Sequence, residues 1–270
     1  MKVATYRSEV VAHTWVNARY KYLRLRCPAP LGRETVAGQF YQLLCPVNDV
    51  DKPFLGRPMS VYAIGPEEDR IGFLYHVKGV GTRALERLRA GDELPMIGPL
   101  GRGFSFDPRW RRVLLVARGV GLATMAPLVP LAARSGVSIT MLLSARSTGD
   151  LMRAEFEQGA RAEVHAVFDS DGSSAVGHVE VLLKKILDQQ PVDMVYTCGS
   201  NRLLMLLQKT LATSNLRGEV ALEQQMACAM GVCLSCVRLF EEGGEKVFRR
   251  VCCEGPVFPI ATVSGEVQFG

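Results

Sequence analysis

The tightest constraint on this chain is a crowd of cysteines near its carboxyl end. Five of its eight cysteines, Cys228, Cys233, Cys236, Cys252 and Cys253, lie between Leu222 and Phe258, in the stretch LEQQMACAMGVCLSCVRLFEEGGEKVFRRVCCEGPVF. The first three read C-x4-C-x2-C, and another follows a hairpin-like insert. That is the plant-type ligand spacing of a [2Fe–2S] cluster. Two irons and two bridging sulfides need four thiolates converging from different sides, so a short loop wraps the cluster and a distant residue closes it. Ala227, Ala229, Gly231 and Ser235 are small enough to let backbone N–H groups approach the sulfurs.

Two other uses of cysteine fit less well. Structural zinc draws on two short-spaced Cys/His pairs, and this stretch offers one C-x2-C with no histidine between residues 179 and 270. A disulfide framework needs an oxidising compartment, and MKVATYRSEVVAHTWV holds no apolar run of the signal-peptide kind. A reducing, cytoplasmic setting is the expectation. Cys228, Cys233 and Cys236 are the candidate ligands of the loop, with Cys252 or Cys253 as the fourth. Adjacent side chains of an extended strand point to opposite faces, so one of the two is expected to reach the cluster.

The rest of the chain is long enough for two domains beside such a module. Its 48% hydrophobic and 22% charged residues are those of an ordinary globular protein. The net charge of +5 is spread over short basic runs (Arg109, Arg111, Arg112; Arg249, Arg250) with no nucleic-acid recognition motif beside them. A face for an acidic partner or attraction of a phosphorylated cofactor suits them better. The longest apolar stretch, Val113 to Ala133, is interrupted by Arg118, Pro127 and Pro130 and reads as two segments with a glycine turn, not a membrane span. Cys27, Cys45 and Cys198 stand alone and read as small buried hydrophobes.

Residues 1–107 read as short strands. Tyr20–Arg26, Gln39–Leu44, Met59–Ile64 and Ile71–His76 are separated by Pro, Gly and Asp turns, and only Thr82–Arg89 looks helical. Such a pattern predicts a small antiparallel barrel. From residue 108 strands alternate with helices. VLLVA is followed by a turn and helix over residues 118–136, then SITMLLSA, a helix at DLMRAEFEQ, AEVHAVF, a helix at HVEVLLKKIL, DMVYTCG and a helix at NRLLMLLQKTLATS. This alternation predicts a doubly wound parallel sheet over residues 108–216, with the cluster module occupying 217–270.

Four stretches suit cofactor phosphates or rings. In RPMS (Arg57–Ser60) a proline fixes an arginine at a strand start, where it can pair with a pyrophosphate while the backbone meets a flat ring. VKGVGT (Val77–Thr82) feeds a helix N-terminus, and its plainer reading is a turn with Thr82 as the N-cap. GPLGRGF (Gly98–Phe104) is a rigid loop ending the barrel. RGVGLA (Arg118–Ala123), with Gly119 and Gly121, follows the first strand of the α/β domain, where such sheets bind ligands; Thr124 stands where a third fingerprint glycine would be. His13, His76, His165 and His178 do not cluster. Asp169 and Asp171 in DSDGSS read as a turn. No nucleophile–base–acid constellation is present in the sequence, so no catalytic side chain is expected.

Taken together, LEQQMACAMGVCLSCV, VCCEGPVF, RPMS, LYHVKGVGT, GPLGRGF, the DSDGS turn and the CGS turn at Cys198–Ser200 resemble, in order and over essentially the whole chain, the electron-transfer subunits of NAD-dependent (type B) dihydroorotate dehydrogenases, within the ferredoxin–NADP reductase superfamily. The resemblance implies a ferredoxin reductase-like architecture: a β-barrel domain, an α/β doubly wound parallel-sheet domain and a small C-terminal [2Fe–2S] module. It implies FAD held by Arg57, Pro58, Met59 and Ser60, by Leu74, Tyr75 and His76, and by Gly81 and Thr82. It implies NAD(P)H at the turn of Arg118, Gly119 and Gly121, and cluster ligands Cys228, Cys233, Cys236 and Cys252, with Cys253 as a one-residue slip. An oxidoreductase subunit that passes electrons between NAD(P)H, FAD and the cluster, to or from a catalytic oxidoreductase partner in a hetero-oligomer, follows. The chain departs from the family pattern at Ala117 and Arg118, where two glycines are expected, at Thr124, where a proline is expected, and at Ser200, which replaces the proline of a C-G-P turn. These departures motivate an alternative, a bridging subunit that holds FAD and the cluster but no nicotinamide cofactor. A self-sufficient diaphorase or oxygenase reductase serving a diffusible protein is a third reading.

Overall fold

The computed structural model describes residues 3–65, 69–152 and 162–265. The chain divides into two compact units, one made of residues 1–104, 224–237 and 250–256, the other of 105–223, 238–249 and 257–270.

The first unit is built on a closed antiparallel barrel. Its elements are β1 (Ala4–Trp15), β2 (Tyr20–Arg26), a short helix α1 (Ala29–Glu34), β3 (Phe40–Leu43), β4 (Arg57–Gly65), β5 (Arg70–His76), α2 (Val80–Glu86) and β6 (Glu93–Leu100). The strands close in the order β1-β2-β5-β4-β3-β6. The sequence explains the closure. In β2, Leu23 and Leu25 are wholly buried between the partly exposed Tyr22, Arg24 and exposed Arg26, the period-2 alternation of a strand with one face inward. Each fully buried leucine contributes about 1.5–3 kcal/mol relative to exposure. Tyr41, Phe73, Tyr75, Leu85, Leu94 and Met96 complete the core. The loop between β3 and β4 is tied to α2 by Asp51, a buried carboxylate whose Oδ1 lies 3.1 Å from Arg83 and whose Oδ2 lies 3.4 Å from Arg87. This tie fixes the approach to Arg57 at the head of β4.

The second unit is a six-stranded sheet with helices. It holds β7 (Arg112–Arg118), α3 (Gly121–Met125), α4 (Leu128–Ser135), β8 (Ser138–Ala145), β9 (Ala162–Phe168), α5 (Val176–Gln189), β10 (Met194–Cys198), α6 (Asn201–Ala212) and β11 (Arg217–Ala221). Beyond them along the chain come a hairpin of β12 (Val237–Glu242) and β13 (Glu245–Arg250), the short helix α7 (Val251–Glu254), which belongs to the first unit, and β14 (Val257–Pro259). The sheet order is β14-β11-β10-β7-β8-β9, parallel throughout except that β14 runs antiparallel to β11. Strand order reverses between β7 and β10, which makes the carboxyl ends of those two strands the switch point at which such sheets take ligands.

The single helix expected over residues 118–136 is two. Pro127 has no N–H to give the carbonyl four residues back, so α3 ends at Met125 and α4 starts afresh. Gly136, at φ 71°, ends α4 in the left-handed conformation glycine accepts freely. The helix expected at DLMRAEFEQ falls outside the described residues for all but its first residues. Residues 217–270, expected as one module, are shared out: β11 and β14 lie in the sheet, while residues 224–237 and 250–256 group with the barrel. Among the described residues no helix is long and apolar enough to cross a membrane.

Candidate functional site

Three of the sequence-predicted sites take shape, two on the barrel unit and one at the switch point of the sheet.

The first lies where β4 and β5 part. Their ladder covers Val61–Gly65 against Arg70–Phe73. Beyond it Arg57–Ser60 pair with β3, and Leu74–His76 pair with β2. The two sequence-predicted FAD stretches therefore lie on two strands just past the end of their shared ladder. The third stretch joins them through Arg57. A Cβ on Gly81 would stand 2.5 Å from the guanidinium carbon of Arg57, so only glycine lets that side chain lie across the first turn of α2. Arg57 Nη1 also donates to the carbonyls of Leu55 at 2.6 Å and Gly56 at 3.1 Å, which sets the guanidinium in place. Thr82 spends its hydroxyl on its own turn, accepting from the N–H groups of Lys78 at 2.9 Å and Gly79 at 3.0 Å. Its role is to shape the loop.

Tyr75 points the other way. It is buried in the barrel core, and its hydroxyl lies 2.8 Å from His13 Nε2. Its backbone, not its ring, is available to a cofactor. His13 Nδ1 lies 2.9 Å from the Leu88 carbonyl and must donate to it, so in the neutral ring Nε2 accepts from Tyr75. Burial accordingly lowers the pKa of His13, helped by the charge of Lys21 and opposed by the Leu88 hydrogen bond. This histidine pair went unread in the sequence because 62 residues separate its members.

The second site is the cysteine loop. Gln42 of β3 donates from Nε2 to the Ala227 carbonyl at 3.2 Å, and the N–H of Arg102, just beyond β6, donates to the Gly255 carbonyl at 2.6 Å. Both arms of the loop are thus fastened to the barrel. The thiols form two groups. Cys228 Sγ accepts from the N–H groups of Met230 and Cys233, both at 3.4 Å. Cys233, exposed, has its pKa lowered to about 6, first by the Ser235 hydroxyl 3.2 Å away and then by hydrogen bonds involving Cys228. Cys236 and Cys252 are both buried, and Cys236 Sγ accepts from the Cys252 N–H at 3.5 Å. Burial, then contact with the thiols of Cys236 and Cys253, pushes the Cys252 pKa up. Cys253 is partly exposed, its sulfur 3.5 Å from that of Cys252 and packed over Gly231. The adjacent pair belongs to a helical turn, so the expectation of strand-like opposite faces does not apply.

This donor set fits an iron–sulfur cluster. Four thiols in two pairs, one loose and one buried, suit two irons that each take two thiolates. Ala229 and Leu234 hold φ of 58° and 60°, a left-handed conformation costly for residues with a Cβ and found where a loop is shaped around something. Among the described residues no three His, Cys, Asp or Glu side chains form a single-ion site.

The third site is the β7 turn. Arg118 does not stand ready for a phosphate. Its Nη2 lies 2.6 Å from Asp169 Oδ2, and its Nη1 donates to Asp169 Oδ1 at 3.2 Å and to Ser144 Oγ at 2.7 Å. Beside it, at the ends of β10 and β11, Cys198, Gly199, Ser200, Asn201, Leu222 and Glu223 contribute to an open cleft of about 200 Å³. Ser200 caps α6, its hydroxyl accepting from the Leu203 N–H at 3.4 Å. Cys198 is fully buried, with its pKa raised by burial and its sulfur 3.6 Å from Thr124 Oγ1.

Residues 223–264 match the model of the iron-sulfur cluster binding domain of dihydroorotate dehydrogenase B. Over 93% of this chain and 95% of the relative, the sequence is 32% identical to the dihydroorotate dehydrogenase B (NAD(+)) electron transfer subunit of Desulforamulus reducens. The chain belongs to that family. The homologous subunit of Shouchella clausii is 33% identical over 84% of this chain and 85% of its own. The family fold recurs in the solved structure of an NADH-dependent reduced ferredoxin–NADP oxidoreductase, with TM-score 0.77, 23% identity and coverage of 96% of this chain and 90% of that one. It recurs again in the ferredoxin reductase of carbazole 1,9a-dioxygenase, with TM-score 0.63, 20% identity and coverage of 81% and 69%. As a dihydroorotate dehydrogenase B electron transfer subunit by family, the chain keeps the cysteine loop whole and departs from expectation chiefly at Arg118, whose partner Asp169 had read as a simple turn residue.

Proposed function

We propose that this chain is the electron-transfer subunit of a dihydroorotate dehydrogenase, an oxidoreductase subunit that carries electrons between NAD(P)H and a separate catalytic subunit through FAD and a [2Fe–2S] cluster. When bound, the flavin exchanges electrons in pairs with a nicotinamide and singly with the cluster. The chain's own residues have narrower tasks. Arg57, seated on Gly81, would meet the FAD pyrophosphate with a planar, permanently charged fork. Pro58, Met59 and Ser60 on one strand and Leu74, Tyr75 and His76 on the other would offer backbone groups to the ring system, while Thr82 holds the glycine turn open. Cys228 and Cys233 would hold one iron and Cys236 and Cys252 the other. Gly119 and Gly121, with Arg118, would border the nicotinamide nucleotide.

The observation that carries this reading is the placement of RPMS and LYH just past the β4–β5 ladder, with Arg57 lying against Gly81 of VKGVGT, in the unit that also bears the cysteine loop. The setting that goes with this reading is a reducing, cytoplasmic one, where the thiolates stay available to iron. Purification under anaerobic conditions tests the proposal: FAD and two irons per chain, with a dihydroorotate-oxidising subunit in the same complex, are expected, and protein lacking FAD refutes it. A bridging role without a nicotinamide is the second reading, favoured by the internal ion pair at Arg118. Prompt bleaching of the flavin by NADH or NADPH removes it.

A further inference from the structure

The guanidinium at the switch point is already answered by an anion from its own chain. Arg118 ends β7, Ser144 lies near the end of β8, and Asp169 follows β9, so a single side chain ties the carboxyl ends of three strands. The pairing is well made. Asp169 Oδ1 also accepts from the Ser174 hydroxyl, and the Asp169 N–H is held by the Ala145 carbonyl at 3.1 Å. The Arg118 hydrogen bonds, then that of Ser174, keep the Asp169 carboxyl down at about 2, and Arg202 in the first turn of α6 adds its charge. Two backbone donors of the turn are spent as well. The Gly119 N–H goes to the Ser144 carbonyl at 3.0 Å, and the Ala123 N–H goes to the Val120 carbonyl at 2.9 Å. A Cβ on Gly121 would stand 2.5 Å from the Cys198 carbonyl oxygen, so this glycine lets two turns touch.

The two partners differ in freedom. Arg118 is 22% exposed and anchored by Ser144, while Asp169 is 41% exposed at the edge of a turn. The carboxylate is the more exposed member of the pair. A phosphate offers more acceptor oxygens than a carboxylate and pairs in the same forked manner with a guanidinium.

We propose that Asp169 is an internal counter-anion which the pyrophosphate of a dinucleotide displaces from Arg118, so that nucleotide binding here exchanges one anion for another. The inference rests on the reading that this unit takes a nicotinamide dinucleotide. It assigns Asp169 a specificity role: it holds the guanidinium aimed, and it sets a threshold that weakly binding anions do not cross.

Calorimetry on the FAD- and cluster-loaded protein, with NAD+, NADP+ and redox-inert ADP-ribose as titrants, tests this. Asp169→Asn, which preserves the Ser174 contact, is expected to tighten ADP-ribose binding about three- to tenfold, the range set by a partly exposed ion pair. Arg118→Ala is expected to weaken it about tenfold or more, and in the Arg118→Ala background Asp169→Asn should change nothing. Asp169→Ser serves as a second variant if the asparagine protein is poorly folded. A wild-type protein that binds weakly or not at all while Asp169→Asn binds supports the exchange. Wild-type binding that Asp169→Asn leaves unchanged or weaker overturns the exchange alone, as does a gain that persists without Arg118. Failure of every variant to bind any of the three titrants overturns the exchange and the nicotinamide reading together.

Discussion

Gln42 joins two cofactor stretches: its backbone is paired with Pro58 of RPMS, and its side chain donates 3.2 Å to the carbonyl of Ala227, the residue before the first cluster cysteine. The side chain is buried, with Oε1 lacking a partner among the described residues. Replacing it with leucine removes that hydrogen bond and the unsatisfied oxygen together, so the net effect on folding stability is expected to stay within about 1 kcal/mol. The loop, however, loses one of its two fastenings to the barrel. Gln42→Leu should therefore release iron to a chelator several times faster than wild type while retaining its FAD. Iron loss followed by absorbance against flavin content checks this, and equal rates would show that the fastening does not matter.

Arg57 and Gly81 make a second test. Arg57→Ala removes a guanidinium expected to contribute charge-assisted hydrogen bonds of about 1.5–3 kcal/mol to the bound flavin, a loss of roughly tenfold or more in affinity at 1.4 kcal/mol per decade. Gly81→Ala should reach a similar result by a different route, since its Cβ displaces the guanidinium from its seat. Flavin fluorescence on dilution of the holoprotein measures both. Retention of wild-type affinity in both variants would remove Arg57 from the site.

The sequence made some of this architecture legible and hid the rest for physical reasons. The alternation in β2 and the continuous apolar run of β7 announced their strands because one has a single buried face and the other lies inside a parallel sheet. β1 gave no such signal: of ATYRSEVVAHTW only Ser8 and Val10 are fully buried. The cysteine loop was readable because a cluster dictates local spacing. The Arg118–Asp169 pair was not, since its members lie 51 positions apart and only the register of three parallel strands brings the two together. Tyr75 shows the opposite limit. The motif that marks it as a cofactor residue says nothing about which face of β5 its ring takes, and the ring belongs to the core.

His13 makes acid stability a third test. Its folded pKa lies below the ordinary value because burial disfavours the charged ring, and the neutral ring satisfies Leu88 and Tyr75 at once. The unfolded chain therefore binds the proton first. Above pH 6.5 the contribution is fully present, and it declines as the pH falls from 6.5 towards the lower folded value. His13→Gln should flatten that decline. Urea midpoints between pH 7.5 and 5 in a Trp110→Phe background, which leaves Trp15 of β1 as the sole tryptophan, report on the barrel. Parallel wild-type and variant curves would exclude His13 as the titrating group.

Burial and contact support the proposal of Cys252 as the fourth ligand. Cys252 is buried, its N–H reaches the Cys236 sulfur at 3.5 Å, and its thiol contacts that of Cys236. Cys253 is partly exposed and packs over Gly231. A thiolate already beside the buried member of the loop needs no rearrangement to share an iron with it, whereas Cys253 would have to draw α7 round by one residue. Cys252→Ser should therefore lose most of the cluster, seen as missing iron, visible absorbance and the reduced-state EPR signal. The loss should also loosen residues 224–256, because iron–thiolate bonds stand in for a core in so short a segment. Cys253→Ser should keep nearly two irons per chain. The reverse pattern would place the closing ligand one residue later, and equal damage in both would mean that the 3.5 Å separation between the two sulfurs lets either thiol close the site.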